Sequence, residues 1–511
     1  MISKVNSGCM IGMESQQVTV ETDVTASGLP SFSIIGLPDS SIKESRARIR
    51  SAIRNSGFSF PAKKITINLA PAGMKKEGSG FDLPIALGIL AASEQIDGTL
   101  MDNILFCGEL SLTGKLCSFK GALPLAISLK NRFPTFILPV SNSREASHVD
   151  GMIIFGARSL DEIIRHVTGA EPMEPVKPRQ NISSLKNPSD LWDLSDVKGQ
   201  EHVKRGLEIA ASGNHNILLI GPPGSGKSML AKRFPYLLPD LSYEESLETT
   251  KIYSIAGELK NEDLVDERPF RAPHHTISYA AMAGGGVHTR PGEISLAHNG
   301  VLFLDEFPEY RRDVIETLRQ PLESGEISIS RAERSIKYPS RFILIAAMNP
   351  CPCGNLTDPK KECRCNPGQI QKYLSKISGP LLDRIDIHLE VPRLNYEQLS
   401  GKRSGETTSR VKQRVLKARA IQRERFAEKS CHLAINAYMS PKELDKHSVL
   451  SKEAEYILKT VILEMGLSAR AYDKILKLSR TIADMEGSEV INTHNVSEAI
   501  GYRCLDRNLW G

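Results

Sequence analysis

The stretch Asn216-Ile-Leu-Leu-Ile-Gly-Pro-Pro-Gly-Ser-Gly-Lys-Ser228 decides the fold of the middle of this 511-residue chain. An apolar run of strand length leads into a G-x-x-x-x-G-K-S loop, and a helix-forming stretch begins at Met229. In this strand–loop–helix order, backbone N–H groups and a helix N-terminus surround phosphate groups, the lysine reaches the β- and γ-phosphates, and the final serine binds Mg²⁺. We therefore expect ATP to contact these loop residues: Gly221, Pro222, Pro223, Gly224, Ser225, Gly226, Lys227 and Ser228.

A second apolar run, Gly300-Val-Leu-Phe-Leu-Asp-Glu306, ends in two carboxylates. Phosphoryl transfer needs a held metal ion and a positioned water more than covalent chemistry. We expect Asp305 to hold Mg²⁺ through water and Glu306 to polarise the attacking water. Either acid alone is also explained as the end of a buried strand, but the preceding phosphate loop favours the catalytic interpretation.

Three more polar residues fit an ATP-hydrolysing site. Asn349 ends a third apolar run, Arg384 stands among apolar residues and acids, and Arg470 lies at a predicted helix start. Taken singly, each of them is explained as well by an ion pair or a helix cap.

Three strings are more distinctive than the phosphate loop: Asp196-Val-Lys-Gly-Gln200, Arg268-Pro-Phe-Arg-Ala-Pro-His-His-Thr-Ile-Ser278 and Pro291-Gly-Glu-Ile-Ser-Leu-Ala-His-Asn-Gly300. With them, the chain resembles AAA+ ATPases of the magnesium-chelatase-like group, and more closely the YifB/ComM family, over essentially its whole length. We expect Val197 and Gly199 of the first string to lie beside the nucleotide.

The resemblance also implies roles for the three isolated polar residues. Asn349 would be the sensor that orients the lytic water, and Arg470 the second sensor on a helical lid. Arg384 would be the finger that reaches the γ-phosphate bound by a neighbouring subunit. An arginine acting between subunits implies a ring, and the family suggests a homohexamer.

The composition narrows the class of protein. Lys and Arg total 65 against 60 Asp and Glu, a net charge of +5, with 40% hydrophobic and 24% charged residues, which is ordinary for a globular protein. The longest apolar stretch, Leu83–Ala92, is far shorter than a membrane span. The first ten residues lack the pattern of a secretory signal. We expect a cytoplasmic protein with no membrane partner.

Composition divides the α/β chain into parts. Residues 1–168 alternate β-type runs with helical segments, and the proline-rich residues 169–189 predict a linker. Residues 190–395 alternate apolar strands with helices, which predicts a mostly parallel sheet. Residues 396–511 are almost wholly helical in pattern and would form the lid.

Two segments are candidates for binding single-stranded or branched DNA. Residues 325–341 alternate apolar and polar types, which predicts a β-hairpin carrying Arg331, Arg334 and Lys337. In related ring motors such inserts line the pore, where the basic side chains would contact phosphates; a hairpin with ordinary surface charge is the alternative. Lys402–Lys429 holds ten Lys or Arg and three Glu, and a solvated helix face is the commoner meaning of such a run.

Nine cysteines include a quartet, Cys351, Cys353, Cys363 and Cys365, in the pattern C-x-C-x₉-C-x-C. Four thiolates on a short loop match a structural Zn²⁺ site, although C-x-C is tighter than the usual C-x₂-C. Reduced thiols or a redox pair are the alternatives. For His274 and His275 we expect polar contacts within their loop rather than metal binding.

Residues 1–168 resemble the Lon protease domain. Alignment of the shared strings places Gly80 and Leu123 where that family has its catalytic Ser and Lys. Ser79 and Lys120 lie nearby, so a shifted dyad stays open. We expect a proteolytically inactive domain that serves assembly or DNA handling.

Three functions compete. The family resemblance implies a ring ATPase that drives DNA branch migration, integrates incoming single strands during natural transformation, and works with recombination proteins. The first alternative is a magnesium-chelatase-type ATPase subunit that acts on a protein partner. The second is an ATP-dependent Lon-like protease. An assembly scaffold without translocation is a further option.

Overall fold

The computed structural model describes residues 2–26, 29–76, 78, 80–179, 192–259, 263–286, 290–331, 334–358, 360–394, 405–429, 433–465 and 467–503. Within these residues the class is α/β, as the sequence predicts, with a mixed sheet, a parallel sheet and a set of C-terminal helices in chain order.

The N-terminal unit is built on a mixed sheet of order β3-β4-β2-β1-β5-β8-β9 in the described chain. Its strands are β1 (Ile2–Ile11), β2 (Glu14–Thr25), β3 (Ser31–Ile35), β4 (Lys64–Ala70), β5 (Ile104–Phe106), β6 (Glu109–Leu110), β7 (Leu116–Cys117), β8 (Thr135–Pro139) and β9 (Ile153–Ala157). Its helices are α1 (Ser40–Asn55), α2 (Asp82–Ala92), α3 (Ala122–Leu129), α4 (Val140–Ser147) and α5 (Leu160–Val167).

Alternation and burial explain this unit. In β2 every second side chain from Val18 to Val24 is buried, and β2 pairs antiparallel with both β1 and β4. Helix α2 packs on β1, β2 and α1. All of its residues are buried, which is why the sequence shows an apolar run there instead of an amphipathic stripe.

The central unit surrounds a parallel sheet of order β11-β14-β17-β10-β18, in which every neighbouring pair is parallel. Its strands are β10 (Ile217–Ile220), β11 (Phe270–Arg271), β12 (Gly284–Gly285), β13 (Arg290–Pro291), β14 (Val301–Leu304), β15 (Glu326–Arg331), β16 (Arg334–Pro339), β17 (Ile343–Met348) and β18 (Ile387–Glu390). Its helices are α6 (Glu201–Gly213), α7 (Lys227–Arg233), α8 (Tyr243–Ala256), α9 (Tyr279–Ala283), α10 (Glu293–Leu296), α11 (Arg312–Glu316), α12 (Arg319–Ser324), α13 (Pro367–Leu374) and α14 (Gly379–Leu382).

This sheet positions the candidate site. Strands β10, β14 and β17 are buried throughout, because helices cover both faces of a parallel sheet. Their carboxyl ends lead into the phosphate loop, the acidic pair and Asn349, which therefore meet at one edge. The predicted hairpin is present as β15 paired antiparallel with β16.

The C-terminal helices pack on α6. They are α15 (Thr408–Arg425), α16 (Pro441–His447), α17 (Lys452–Met465), α18 (Ala469–Glu486) and α19 (Thr493–Gly501). Helices α15 and α18 contact α6 of the central unit. Between them, the buried Asp484 accepts hydrogen bonds from Arg425 (2.8 Å), Arg480 (3.0 Å) and Asn436 (2.8 Å).

The N-terminal unit rests on helix α8. The Gly121 N–H donates to the Ser254 carbonyl (3.2 Å), and the Tyr243 hydroxyl donates to the His148 carbonyl (2.7 Å). The His148 ring pairs with Asp263 at 2.6 Å. Residues 171–176, in the predicted linker, hydrogen-bond back to α5 and β9, whereas residues 180–189 lie outside the described residues. A search of the described helices finds none with the length and apolarity to cross a membrane.

Candidate functional site

The phosphate loop connects β10 to α7 with the backbone shape that its glycines require. Gly224 and Gly226 have φ of +77° and +94°, in the left-handed region. At Gly221, a Cβ would lie 2.2 Å from the Val391 carbonyl oxygen, so the strand end tolerates no side chain. The N–H groups of Gly221 and Ser225 donate to the carbonyls of Met348 (3.2 Å) and Pro222 (3.3 Å). The N–H groups at the N-terminus of α7, where the loop ends, are the ones placed for phosphate oxygens.

Lys227 connects two of the predicted groups. Its ammonium donates to the carbonyls of Gly221 (2.7 Å) and Pro222 (3.0 Å) and to Oδ1 of Asn349 (3.2 Å). Burial lowers the pKa of Lys227, and the nearby Asp305 carboxylate opposes that shift. The lysine and the amide of Asn349 therefore lie side by side at the carboxyl ends of β10 and β17.

Ser228 and Asp305 are adjacent, with the hydroxyl donating to Oδ2 at 2.6 Å. A hydroxyl and a carboxylate at the end of a phosphate loop are the oxygen ligands that Mg²⁺ takes, directly or through water. These two residues therefore fit the expected ion.

Glu306 has a partner that sequence reasoning missed. It has a φ of +52° and is 57% exposed, and its Oε2 lies 3.1 Å from Nδ1 of His275. The ring of His275 stacks near His274 (4.1 Å between centroids). The expectation of polar contacts for this loop is met, but nothing in the spacing of the histidines identifies Glu306 as the partner.

The string at 196–200 contacts the loop through Gln200. Its Nε2 donates to the Ser225 carbonyl (2.7 Å) and to the Pro392 carbonyl (3.2 Å). Val197 is buried and Gly199 has a φ of +59°. This segment therefore lies against the loop, and Gln200 is the residue that connects them.

Arg384 and Arg470 lie close to the same carboxylate, that of Glu323. Arg384 pairs with Glu323 and donates to the Pro380 carbonyl (2.6 Å), while Arg470 lies 3.9 Å from Asp383. Within the described chain, neither arginine has a hydrogen bond or ion pair with residues 221–228. Sequence reasoning did not identify Glu323 as a partner of Arg384.

The four cysteine sulfurs of the quartet lie within 4.8 Å of one another. Sγ of Cys351 is 3.4 Å from that of Cys353 and 3.7 Å from that of Cys363. Tetrahedral Zn²⁺ with Zn–S bonds near 2.3 Å requires sulfurs about 3.8 Å apart, so the donor set fits this ion. Backbone N–H groups of Asn355 and Arg364 lower the pKa of Cys353 to about 6, whereas desolvation and the neighbouring cysteine side chains raise the pKa of Cys363 and that of Cys365, so the sulfur positions carry the argument for a metal.

The cysteine loop packs on the phosphate loop. Gly354 has a φ of +79°, and a Cβ there would lie 2.6 Å from Cδ of Pro223 and 3.8 Å from Cγ of Asn349. Any displacement of the cysteine cluster therefore reaches the phosphate loop directly. The sequence shows that the cluster follows Asn349 but does not show this contact.

Of the three hairpin residues that are candidates for DNA contacts, the structure describes the side chain of one. Lys337 pairs with Glu326 across the hairpin at 3.4 Å, and both side chains are exposed. Arg331 and Arg334 face each other in the register, but their side chains lie outside the described residues. On α15, Arg414 pairs with Glu406 and Glu208.

The basic run at α15 is therefore partly neutralised, because Arg425 also pairs with Asp484. The charge count along Lys402–Lys429 does not include the acids from other helices that neutralise Arg414 and Arg425.

The Lon-like positions do not form a dyad in the described residues. Leu123 is fully buried, and Gly80 has no side chain. Lys120 donates to the Ala256 carbonyl at 2.8 Å, so its amine is used at the contact with α8. Ser79 lies outside the described residues.

Comparison with known proteins identifies the family. The chain is 45% identical to competence protein ComM of Haemophilus influenzae over 511 residues, which cover 99% of this chain and 98% of that protein. It is 44% identical over 509 residues to the uncharacterized protein YifB of Escherichia coli, covering 99% and 98%. The chain belongs to the ComM/YifB family.

Three family models for magnesium chelatase also match. They are described as subunit ChlI of Mg-chelatase (residues 20–142), magnesium chelatase, subunit ChlI (193–399) and its C-terminal part (405–503). A magnesium-chelatase subunit ChlI homolog of Methanocaldococcus jannaschii is 22% identical over 337 residues, covering 61% of this chain and 83% of that protein. Membership in this AAA+ group supports an ATPase function for the ComM/YifB chain.

Proposed function

We propose that the chain hydrolyses ATP at the edge formed by β10, β14 and β17. Lys227 binds the β- and γ-phosphates, Ser228 and Asp305 hold Mg²⁺, and Glu306 polarises the attacking water that Asn349 orients. Mg²⁺ neutralises charge on the transferring phosphoryl group. The observation that carries this proposal is the set of contacts among Lys227, Asn349, Ser228 and Asp305.

The subunits form a homohexameric ring in this proposal. Arg384 and Arg470 have no contact with the phosphate loop of their own chain in the described residues, which supports an action of Arg384 on ATP bound by the neighbouring subunit. An arginine supplied between subunits contributes strongly to phosphoryl transfer.

The ring uses ATP to move on single-stranded or branched DNA as a branch-migration helicase. It integrates single strands during natural transformation, in the cytoplasm, together with recombination proteins. Two observations support this step: the identity to a competence protein over the full length, and the hairpin β15–β16, whose basic residues would track the phosphate backbone.

ATP hydrolysis with no DNA, single-stranded DNA, forked DNA and four-way junctions tests the motor. We expect branched DNA to increase the rate of ATP hydrolysis by the wild-type protein, and we expect the protein to displace a strand of that DNA. Glu306→Gln abolishes hydrolysis and keeps ATP binding, whereas Glu309→Gln, which changes an exposed neighbouring carboxylate that pairs with Lys376, leaves the rate near that of the wild type. Absence of both stimulation and strand displacement on every DNA contradicts the motor.

For the cysteine quartet we propose a structural Zn²⁺ bound by Cys351, Cys353, Cys363 and Cys365. The fit of the sulfur positions to a tetrahedral site supports it. Elemental analysis of protein that was purified without any chelator should give about one zinc ion per chain. Cys353→Ser should lower that content, and Cys117→Ser, which changes an exposed thiol outside the quartet, should not; metal-free wild-type protein contradicts the site.

A further inference from the structure

A cavity lies at one edge of the central sheet, and the phosphate loop lies at the opposite edge. Gly300 and Phe342, which directly precede β14 and β17, form part of its wall, so it stands at the amino ends of the strands. Arg419 and Arg423 of α15 form the facing wall. The cavity is therefore shared between the central unit and the C-terminal helices, and its volume is about 40 Å³.

The charges around this cavity do not balance. Four arginines line it, against one carboxylate, Glu245. Arg268 already pairs with Glu245 at 3.1 Å, and Arg341 pairs with Glu248 at 3.0 Å. Neither of the two arginines from α15 has an ion pair in the part of the chain that the structure describes.

Arg419 is the most deeply placed of the four arginines. It is 7% exposed, and among the described residues its guanidinium donates to neutral acceptors alone: the Ala211 carbonyl (3.1 and 2.8 Å) and Oδ1 of Asn214 (3.2 Å). Burial lowers its pKa to about 9, the positive charges of Arg268 and Arg423 add to that shift, and the Glu245 carboxylate opposes it. Because Glu245 is already paired with Arg268, the buried cation has too little counter-charge, and an anion in the cavity would stabilise this arrangement.

Two other arginines of the cavity have N–H donors that are not used in hydrogen bonds among the described residues. Nε of Arg341 is buried with no acceptor among the described residues. Arg423 is exposed and has no hydrogen bond or ion pair within the same residues. Space for a water requires about 10–15 Å³, so a cavity of about 40 Å³ accommodates a small tetrahedral oxyanion and excludes a base or a sugar.

We infer that this cavity binds a phosphate group between the central unit and the C-terminal helices, held by Arg341, Arg419 and Arg423. The group comes either from free inorganic phosphate or from the terminal phosphate of a nucleotide whose remainder lies outside the mouth. Because the three arginines belong to two units, the bound phosphate attaches the lid to the sheet edge. The inference does not depend on the proposed DNA motor.

Labelled inorganic phosphate measured by equilibrium dialysis tests the site in the Lys227→Ala background, which weakens phosphate binding at the ATP loop. We expect about one phosphate per chain at constant ionic strength. Arg423→Ala, a change at an exposed side chain that should not affect folding, should weaken phosphate binding about tenfold through the loss of charge-assisted hydrogen bonds. Arg410→Ala, also exposed and on α15 but outside the cavity, should not change it.

Competition with unlabelled ADP distinguishes the two sources. Displacement of the labelled phosphate assigns the site to a nucleotide terminus, and no displacement assigns it to free phosphate. The inference is overturned by the absence of saturable phosphate binding in the Lys227→Ala protein, or by equal effects of Arg423→Ala and Arg410→Ala.

Discussion

The contact between Gly354 and Pro223 makes nucleotide affinity sensitive to one methyl group. In Gly354→Ala, the new Cβ lies 2.6 Å from Cδ of Pro223, so one loop must move by about 0.8 Å to reach ordinary van der Waals contact. The left-handed φ of +79° adds backbone strain of about 1–2 kcal/mol. Both effects displace the phosphate loop or the cysteine loop from its position.

A displacement of this size lengthens N–H contacts from the loop to the phosphates beyond hydrogen-bonding range. One such charge-assisted bond contributes about 1.5–3 kcal/mol, and each 1.4 kcal/mol is about a tenfold change in affinity. We therefore expect the Kd for ADP with Mg²⁺ to rise about ten- to a hundredfold in Gly354→Ala. Titration with a fluorescent ADP analogue measures this change.

A matched control separates the steric contact from backbone strain. Gly169 has a φ of +77°, and nothing lies within 4 Å of the position where its Cβ would stand. Gly169→Ala therefore carries the strain without the contact, and its Kd for ADP should equal that of the wild type. If both variants fold and their Kd values agree within about twofold, the packing of the cysteine loop does not control the phosphate loop.

Three further outcomes are expected. His275→Ala frees Glu306 from a half-exposed pair worth about 0.2–1 kcal/mol, so kcat without DNA should rise up to about fivefold in a steady-state assay while ADP affinity stays the same. Burial lowers the pKa of His215 to about 4, whereas in the unfolded chain this histidine takes up a proton near pH 6.5. The free energy of unfolding should therefore fall as pH decreases from 6.5 to 4. Chemical denaturation at a series of pH values should show a smaller dependence of this free energy on pH in His215→Gln. Asp484→Asn leaves two arginines without their shared carboxylate and should destabilise the C-terminal helices by about 3–5 kcal/mol, detected as earlier loss of helical circular dichroism on heating.

Patterns within short stretches of sequence predicted the individual strands and the hairpin correctly. The apolar runs before Gly221, Asp305 and Asn349 predicted strands, and the structure has β10, β14 and β17 at those places. The hairpin followed from alternation alone. These predictions succeeded because each depends on neighbours within a few residues.

Contacts between distant segments were outside the reach of those patterns. The pairs His275–Glu306 and Arg384–Glu323 join residues far apart in sequence, with no spacing that reveals them. Charge counting on α15 was misleading for a similar reason. Glu208 from α6 and Asp484 from α18 neutralise its arginines, and a count along one helix does not include them.

Helix α8 and the segment that follows it connect the N-terminal unit to the central unit. Leu264, just after α8, belongs to the apolar core of the N-terminal unit, and Leu247 of α8 packs against that core. On the same helix, Glu248 pairs with Arg341 at the base of the hairpin. A chain that lacked residues 1–170 would expose these leucines as an apolar patch and would be prone to aggregate, so helix α8 makes the solubility of the central unit depend on the N-terminal unit.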